Sequence, residues 1–559
     1  MTLPKSSWYV GCSPRDPRKL VPELNLLVQY DGREWSETEQ IEFAEALAGL
    51  KSFEGEGYGK ELGFTARDRV AKMKTYGFVY VSKEAGKDIL HITDAGKAII
   101  ESRIPEEIFL KQMIKWQYPS YQHKSENQYP TKSFHLRPFI LSLKLISALD
   151  GMTKAEFAIF AFVTTDERNI DLTIKEISEY RAKRGSITGR TKKLAFDDEC
   201  LNQKLKSINS SIQSSSFYDM ADALTRHLRF TPLFTTRGNR IILSENMRPL
   251  AEWIIFQPII INQEYTDVKK FYSYMGNPNL PITPLDNKST IVKMISIIYK
   301  QIIVLSKQIG IVISALPDFN KMSILQLKEL LFDLLNEKKK YLQINLERDI
   351  QKEPQKKEII EMFSHIVERE VIDPATYFEW NMWRALLHMD DEEEIKPNFS
   401  MDADLQPTNS AGGNMGDIEA HYADYNMLVE VTLSSGKRQA NTETEPVWRH
   451  VGNFQEKFKG KKTFGLFIAP DIAHETPLDF FVRAKHPLFD GKKVTTIPLS
   501  LGQFIEILET TTIIKSKKSQ KLYQLWNLLE SETTKHDDGT TWHKTFPKII
   551  EQWKKEVKA

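Results

Sequence analysis

Residues 426–433 read NMLVEVTL, an apolar run interrupted by one acid, Glu430. In a strand, successive side chains point to opposite faces. Met427, Val429, Val431 and Leu433 then share one face, and Leu428, Glu430 and Thr432 share the other. A carboxylate on an apolar strand is costly to bury unless it is paired or binds a cation. Asp417 opens the segment DIEAHYADY, where Ile418, Ala420 and Tyr422 alternate as a neighbouring strand would. A hairpin turning near Ala423 and Asp424 brings Asp417 back beside Glu430. Two carboxylates at adjoining strand positions make a hard-oxygen site, for which Mg2+ is the natural occupant.

The chain has 559 residues, too many for a single core. Its hydrophobic share of 41% and charged share of 27% are those of a globular protein, which excludes a disordered chain. No stretch approaches the ~18 uninterrupted apolar residues of a membrane span. The most apolar segment, 289–316, is broken by Lys293, Lys300 and Lys307, whose spacing places them on one face of an amphipathic helix. The first residues lack the apolar core of a signal peptide. Two cysteines, Cys12 and Cys200, cannot build a disulfide scaffold or a cysteine-based zinc site. A reducing, cytoplasmic location without membrane contact is expected. A net charge of +1 neither favours nor excludes nucleic acid as a partner.

Residues 64–102 read as helix, hairpin, helix: Thr65 caps a helix running to about Tyr76, FVYV and LHIT are strands around the turn KEAGKD, and DAGKAIIES starts the next helix. This order resembles a winged helix-turn-helix, with the helix before the hairpin as the groove reader. The theme recurs in GMTKAEFAIFAFVTT (151–165), read as a Thr-capped helix, and in MADALTRHLRFTPLFTTRGNRIILS (220–244), a helix then a hairpin. Candidate DNA contacts are Arg67, Arg69, Lys72, Lys74, Tyr76, Lys115, Arg226, Arg229, Arg237 and Arg240, since Arg and Lys suit both phosphate and guanine. The basic segment 181–193 reads equally as a DNA contact or an exposed loop, and the acid run 390–394 as a solvated loop. YMGNPNLPITPLD (274–286), rich in Pro and Gly, reads as a domain boundary. The expected organisation is a multidomain α+β chain. Residues 1–140 and 141–285 are tandem winged-helix-like DNA-recognition parts, 286–370 a helical linker, and 371–559 a PD-(D/E)XK-type α/β cleavage domain.

That last expectation follows from the order of elements. A helix at 374–389 carries Glu379 among aromatics; the Asp417 and Glu430 strands follow. TFGLFIAPDI (463–472) is a buried-type strand, and VTTIPLSLGQFIEIL (494–508) is a strand then a helix. The pattern PD…(D/E)XK has the same order, with metal-assisted attack of water on a phosphodiester as its chemistry. Here Gly416 precedes Asp417 where Pro is usual, and Thr432 stands where Lys is usual.

The chain resembles the AlwI/BstNBI-like group of type IIS restriction and nicking endonucleases along most of its length. The resemblance is carried by WYVGCSPRDP (8–17), FTARDRVAKMKTYGFVYV (64–81), FLKQMIKWQYPSYQHK (109–124), YMGNPNLP (274–281), FEWNMWRA (378–385), LQPTNSAGGNMGDIE (405–419), LVEVTLSSG (428–436), ETEPVWRHV (443–451), LFIAPDI (466–472) and IPLSLGQF (497–504). The group also carries E-V-T, so Thr432 is a group trait. The resemblance implies recognition of a short asymmetric double-stranded DNA site and Mg2+-dependent cleavage a few bases outside it. It implies metal-site roles for Glu379, Asp417 and Glu430, and further active-site positions at Glu443 and His450. One such site cuts one strand, so a double-strand cut needs a second cleavage domain, from transient homodimerisation or from a small separate subunit. Strand-specific nicking is the alternative within the group. A winged-helix regulator with an inactive nuclease-like domain is the alternative outside it. There is no GxxxxGK[ST] phosphate loop, so no ATP-driven step is expected.

Overall fold

The computed structural model describes residues 7–50, 62–123, 134–210, 212–350, 352–389, 391–412 and 415–558. Lys124 of the aromatic segment, Asp390 of the acid run and residues 413–414 lie outside them. The chain forms two compact units, one of residues 1–304 with 313–338, the other of 305–312 with 339–559.

In the first unit, α1 (Leu62–Thr75) leads into the antiparallel hairpin β1 (Val79–Glu84) and β2 (Lys87–Ile92), and α2 (Asp94–Glu101) follows. The hairpin turns at Ala85 and Gly86, both at positive φ, as a tight two-residue turn requires. Thr93 caps α2 by accepting from the Gly96 amide at 3.1 Å. Thr65 is inside α1 and is not its cap, since the helix already runs from Leu62.

The second motif differs from its expected form. Residues 152–153 are a short strand, β3, and only then does the Thr153–Glu156 capping box start a helical turn, which continues as a π-helix over Phe157–Ala161. The helix α3 (Ser214–Phe230) precedes β4 (Phe234–Arg237) and β5 (Arg240–Leu243), which join β3 in a sheet of order β3-β5-β4.

The Pro- and Gly-rich stretch at 274–286 is packed within the first unit. It follows α4 (Val268–Met275), whose end is gripped from several sides. The Ala95 amide donates to Gly276 O at 2.7 Å and Gln112 Nε2 to Met275 O at 2.6 Å. A Cβ on Gly276 would lie 2.6 Å from Thr93 Cβ, so glycine here serves a close approach and not a free linker.

Helix α5 (Lys288–Ile309) is, among the described residues, the one helix long and apolar enough by length and composition to cross a membrane. Ile291, Ile295, Ile298 and Ile302 on it are buried, while Lys293, Lys300 and Lys307 are exposed, as the seven-residue spacing predicted. The division between the units falls within α5 and within α6 (Ile324–Asp349).

The second unit is built on a five-stranded mixed sheet. Its strands are β6 (Glu394–Pro397), β7 (Ile418–His421), β8 (Tyr425–Val431), β9 (Lys462–Ala469) and β10 (Thr496–Ser500), in spatial order β10-β9-β8-β7-β6. β8 runs antiparallel to β7 and parallel to β9, and β9 runs parallel to β10. Preceding the sheet in sequence, α7 (Pro374–Met389) contacts β8 and β6 and packs on α10 (Leu501–Thr512), the helix after β10. The crossover from β8 to β9 is made by α8 (Gly436–Thr442) and α9 (Thr444–Lys457). Val451 and Phe454 of α9 cluster with Leu428 of β8. This places α9 over the face that Leu428 shares with Glu430.

Candidate active site

β7 and β8 form the hairpin that the alternation predicted, closing at Ala423 and Asp424 with Tyr422 N donating to Tyr425 O at 2.9 Å. Ile418 pairs with Val429, so the next position of the register sets Asp417 opposite Glu430. The Asp417 carboxylate takes over at the strand end: Oδ2 accepts from the Val431 amide at 2.8 Å. Asn398, just past β6, holds the backbone on the other side. Its amide donates to Asp417 O at 3.0 Å, and its Nδ2 donates to Gly416 O at 2.8 Å. Gly416 stands against Leu428, and a Cβ there would be 2.6 Å from that side chain. Glycine in place of the usual Pro therefore lets β8 approach the Asp417 strand closely.

Asp417 and Glu430 are each 9% exposed, and Glu379 on α7 is 5% exposed. Glu379 Oε2 accepts from the Ala411 amide at 2.8 Å. All three carboxyls are held well above the ordinary carboxylate range. For Asp417 the causes are burial and then the charge of Glu430; for Glu430, burial and then Glu379; for Glu379, burial and then Asp417. Glu443 adds to the repulsion on both Asp417 and Glu430. Like charges brought together out of water disfavour ionisation, and a cation reverses that. Among the described residues, no group of three or more His, Cys, Asp or Glu is gathered tightly enough to cage a metal ion. Mg2+ does not need such a cage, because it keeps several waters and takes one or two carboxylates with substrate phosphates. The Asp417–Glu430 pair, all hard oxygen, fits that mode.

His450 on α9 reaches the same place: Nδ1 lies 2.8 Å from Glu430 Oε1. Burial, then Arg449, lowers the imidazole pKa. A neutral ring with its proton on Nδ1 donates to Glu430 and leaves Nε2 as a base. Nε2 is buried and has no hydrogen-bond partner among the described residues. Glu443, at the junction of α8 and α9, accepts from Ser434 Oγ at 2.7 Å. Thr432 lies one residue past β8; its Oγ1 accepts from Ser434 N at 3.0 Å, and its own amide donates to Ile468 O. The hydroxyl thus shapes the turn after the strand. The structure brings Glu379, Asp417, Glu430, Glu443 and His450 together. It adds Asn398, which carries no signal in the sequence because its contacts come from another strand, and it gives Gly416 a packing role.

The cations expected to meet DNA divide differently. Arg69, Lys72, Tyr76 and Lys115 are buried, which corrects their reading as groove-facing residues. Arg69 Nη1 donates to Glu23 Oε1 at 2.8 Å, and Lys72 Nζ donates to Pro14 O. Tyr76 packs edge-on to Phe109 and Trp116. Lys115 Nζ donates to Met275 O and Asn277 O, each at 2.7 Å. These side chains are spent on tying α1 and α4 to their neighbours. Arg67 and Arg237 are exposed, while Lys74, Arg226, Arg229 and Arg240 are half-buried. Arg67 bonds Gln40, Arg226 pairs with Asp222 and Arg237 pairs with Asp150. Of the basic segment, Arg181 and Arg184 bind Glu156 and Asp197, while Lys183 and Lys192 are exposed.

The profile of the AlwI restriction endonuclease family matches residues 74–507, well over half of the chain and inclusive of Glu379, Asp417, Glu430 and Glu443. The chain belongs to the AlwI restriction endonuclease family. Among solved structures it is similar to the small subunit of the heterodimeric restriction endonuclease R.BspD6I, at 24% identity and a TM-score of 0.29, over 35% of this chain and 98% of that one. It is also similar to the BpuJ1 endonuclease binding domain, solved with modified DNA, at 14% identity and a TM-score of 0.34, over 48% of this chain and 96% of that one. No curated protein matches it.

Proposed function

We propose that this AlwI-family chain is a type IIS endonuclease that binds a short asymmetric double-stranded DNA site through its first unit and hydrolyses phosphodiester bonds outside it in the second, using Mg2+. The observation that carries the reading is the pair of buried, mutually repelling carboxylates set opposite each other at the end of the β7–β8 hairpin. A buried cluster of like charge destabilises a fold unless function requires it. Asp417 and Glu430 would hold the cation, with Glu379 and Glu443 adding negative potential. When bound, Mg2+ supplies positive charge for the phosphate and lowers the pKa of a coordinated water.

The chain's own residues do the rest. The Val431 amide and Asn398 fix Asp417, and the sheet fixes Glu430. His450, bonded to Glu430 through Nδ1, offers Nε2 as a base. One such site acts on one strand. Cutting both needs a second copy of the cleavage unit, by transient homodimerisation or from a separate small subunit, and without one the enzyme nicks.

Supercoiled plasmid incubated with the purified chain and Mg2+ tests this, with Asp417→Ala alongside. Discrete linear or nicked products with mapped ends, absent in the variant, are expected. Retained site binding without cleavage by the wild type in Mg2+ would leave a DNA-binding protein with an inactive nuclease fold.

A further inference from the structure

Gln439 sits in GKRQANT, a polar and basic stretch that reads as surface, yet its side chain is fully buried. All of its hydrogen-bonding capacity is used. Nε2 donates to Ser434 O at 2.9 Å and to Asp471 O at 3.0 Å. Oε1 accepts from Ala473 N and from Thr476 Oγ1, each at 2.8 Å. One amide thereby fastens the turn after β8 to the loop after β9. Ser434 is the other half of the fastening. Its amide donates to Thr432 Oγ1, its carbonyl accepts from Gln439, and its hydroxyl donates to Glu443 Oε1 at 2.7 Å. The Glu443 amide returns to Gln439 O at 3.1 Å, which closes the circuit.

We infer that Ser434 and Gln439 are positioning residues that aim Glu443 at the Asp417–Glu430 pair and so set the affinity of that site for a divalent cation. The inference rests on the nuclease reading. It needs nothing from Lys at position 432: Thr432 is the residue whose hydroxyl lets the turn close onto Ser434. Outer-shell groups around a metal site, the place Glu443 takes here, typically shift metal affinity or activity by about 10–100-fold when disturbed.

The test uses the full chain. Ser434→Ala removes one hydroxyl from a half-buried turn, and Ser434→Thr keeps a hydroxyl. Two quantities are read for each: the Mg2+ concentration giving half-maximal plasmid cleavage, and the calorimetric affinity for Mn2+ added alone to DNA-free protein. Ser434→Ala is expected to weaken both by about tenfold and Ser434→Thr to restore most of it. Gln439→Met is expected to weaken both further. If both quantities match wild type in Ser434→Ala, the proposal fails. It also fails if cleavage falls only in step with melting temperature while the metal requirement stays fixed, since that is the mark of a merely structural role. Should the wild type not cleave at all, the nuclease reading fails separately. The Mn2+ titration then still decides the clamp: a shift upholds it and equal affinities overturn it.

Discussion

Both units bury charge, and they do it in opposite ways. In the first, each buried cation meets its complement: Arg69 meets Glu23, Lys72 meets the Pro14 carbonyl, and Lys115 meets the carbonyls ending α4. In the second, Glu379, Asp417 and Glu430 are buried within reach of one another's fields, and each raises the pKa of another. A buried charge with a partner is architecture: the pair adds little net stability, but removing one member is costly. Uncompensated charge of one sign has to be held by the surrounding fold, and such strain is typically kept where a ligand relieves it. Replacing a charge should therefore harm stability in the first unit and activity in the second.

The largest effect that would break this contrast is at Asp417. Asp417→Asn should lower plasmid cleavage by about a thousandfold or more, the scale of losing a group that organises the reacting centre. It should leave the melting temperature unchanged or raised, because it removes a repelling charge from beside Glu430. A large drop in melting temperature would show that Asp417 is architecture after all. The converse holds at Glu23. Glu23→Leu takes its carboxylate partner from the Arg69 guanidinium, which cannot deprotonate, in a site where both side chains are nearly closed to water. Loss of one partner of a buried pair costs about 3–5 kcal/mol, to be read by denaturant unfolding. Site binding should fall with stability, while the cleavage rate of the protein that remains folded and bound should not.

Gly416→Ala tests how finely the second unit is built. A Cβ 2.6 Å from the Leu428 side chain must push the Asp417 strand away from β8 or displace Leu428. A shift of about 1 Å at a reacting group costs about a hundredfold in rate. Single-turnover cleavage at saturating DNA should therefore fall by that order, with site binding in Ca2+ unchanged.

The contrast also explains which parts of the molecule were legible in the sequence. The hairpin carrying Asp417 and Glu430 was readable because period-two alternation and a short turn fix register locally. Two of the four α1 cations, Arg69 and Lys72, are buried, and a list of basic residues does not say which face of a helix that will be. Ala66, Val70 and Met73 form the apolar stripe of that helix, and Arg69 falls on it at helical spacing. That signal was present in the sequence. No such signal exists for Lys72, whose partner is a backbone carbonyl 58 residues away, or for Gln439, whose burial is decided by the loop after β9. The Pro-Gly stretch at 274–286 reads as a domain boundary because the same residues serve turns and close packing alike, and only the approach of Thr93 tells the two apart.

The smallest expected effect is the dependence of stability on pH, which separates buried lysine from buried carboxyl by sign. Burial pushes the Lys72 ammonium down to about 7 and the Glu23 carboxyl up to about 7. An unfolded lysine titrates near about 10.4. Between the folded and unfolded values the unfolded chain binds more protons, so the Lys72 contribution to stability grows as pH rises above 7 and is lost as pH falls through 7. The Glu23 carboxyl, raised from about 4.3, has the opposite sense. Its contribution is complete below the unfolded value and is lost as pH rises through 7. Glu379, Asp417 and Glu430 of the second unit, each raised, share the sense of Glu23. Melting temperature should accordingly decline from acid toward neutral pH and recover on the alkaline side. Lys72→Met should weaken the alkaline recovery, leaving the share of Lys115, and should leave the acid limb. Asp417→Asn should make the acid limb shallower, leaving the share of Glu23, and should leave the recovery. If either variant altered both limbs together, one titrating network would underlie both, and the assignment of the limbs to buried lysine and buried carboxyl would not hold.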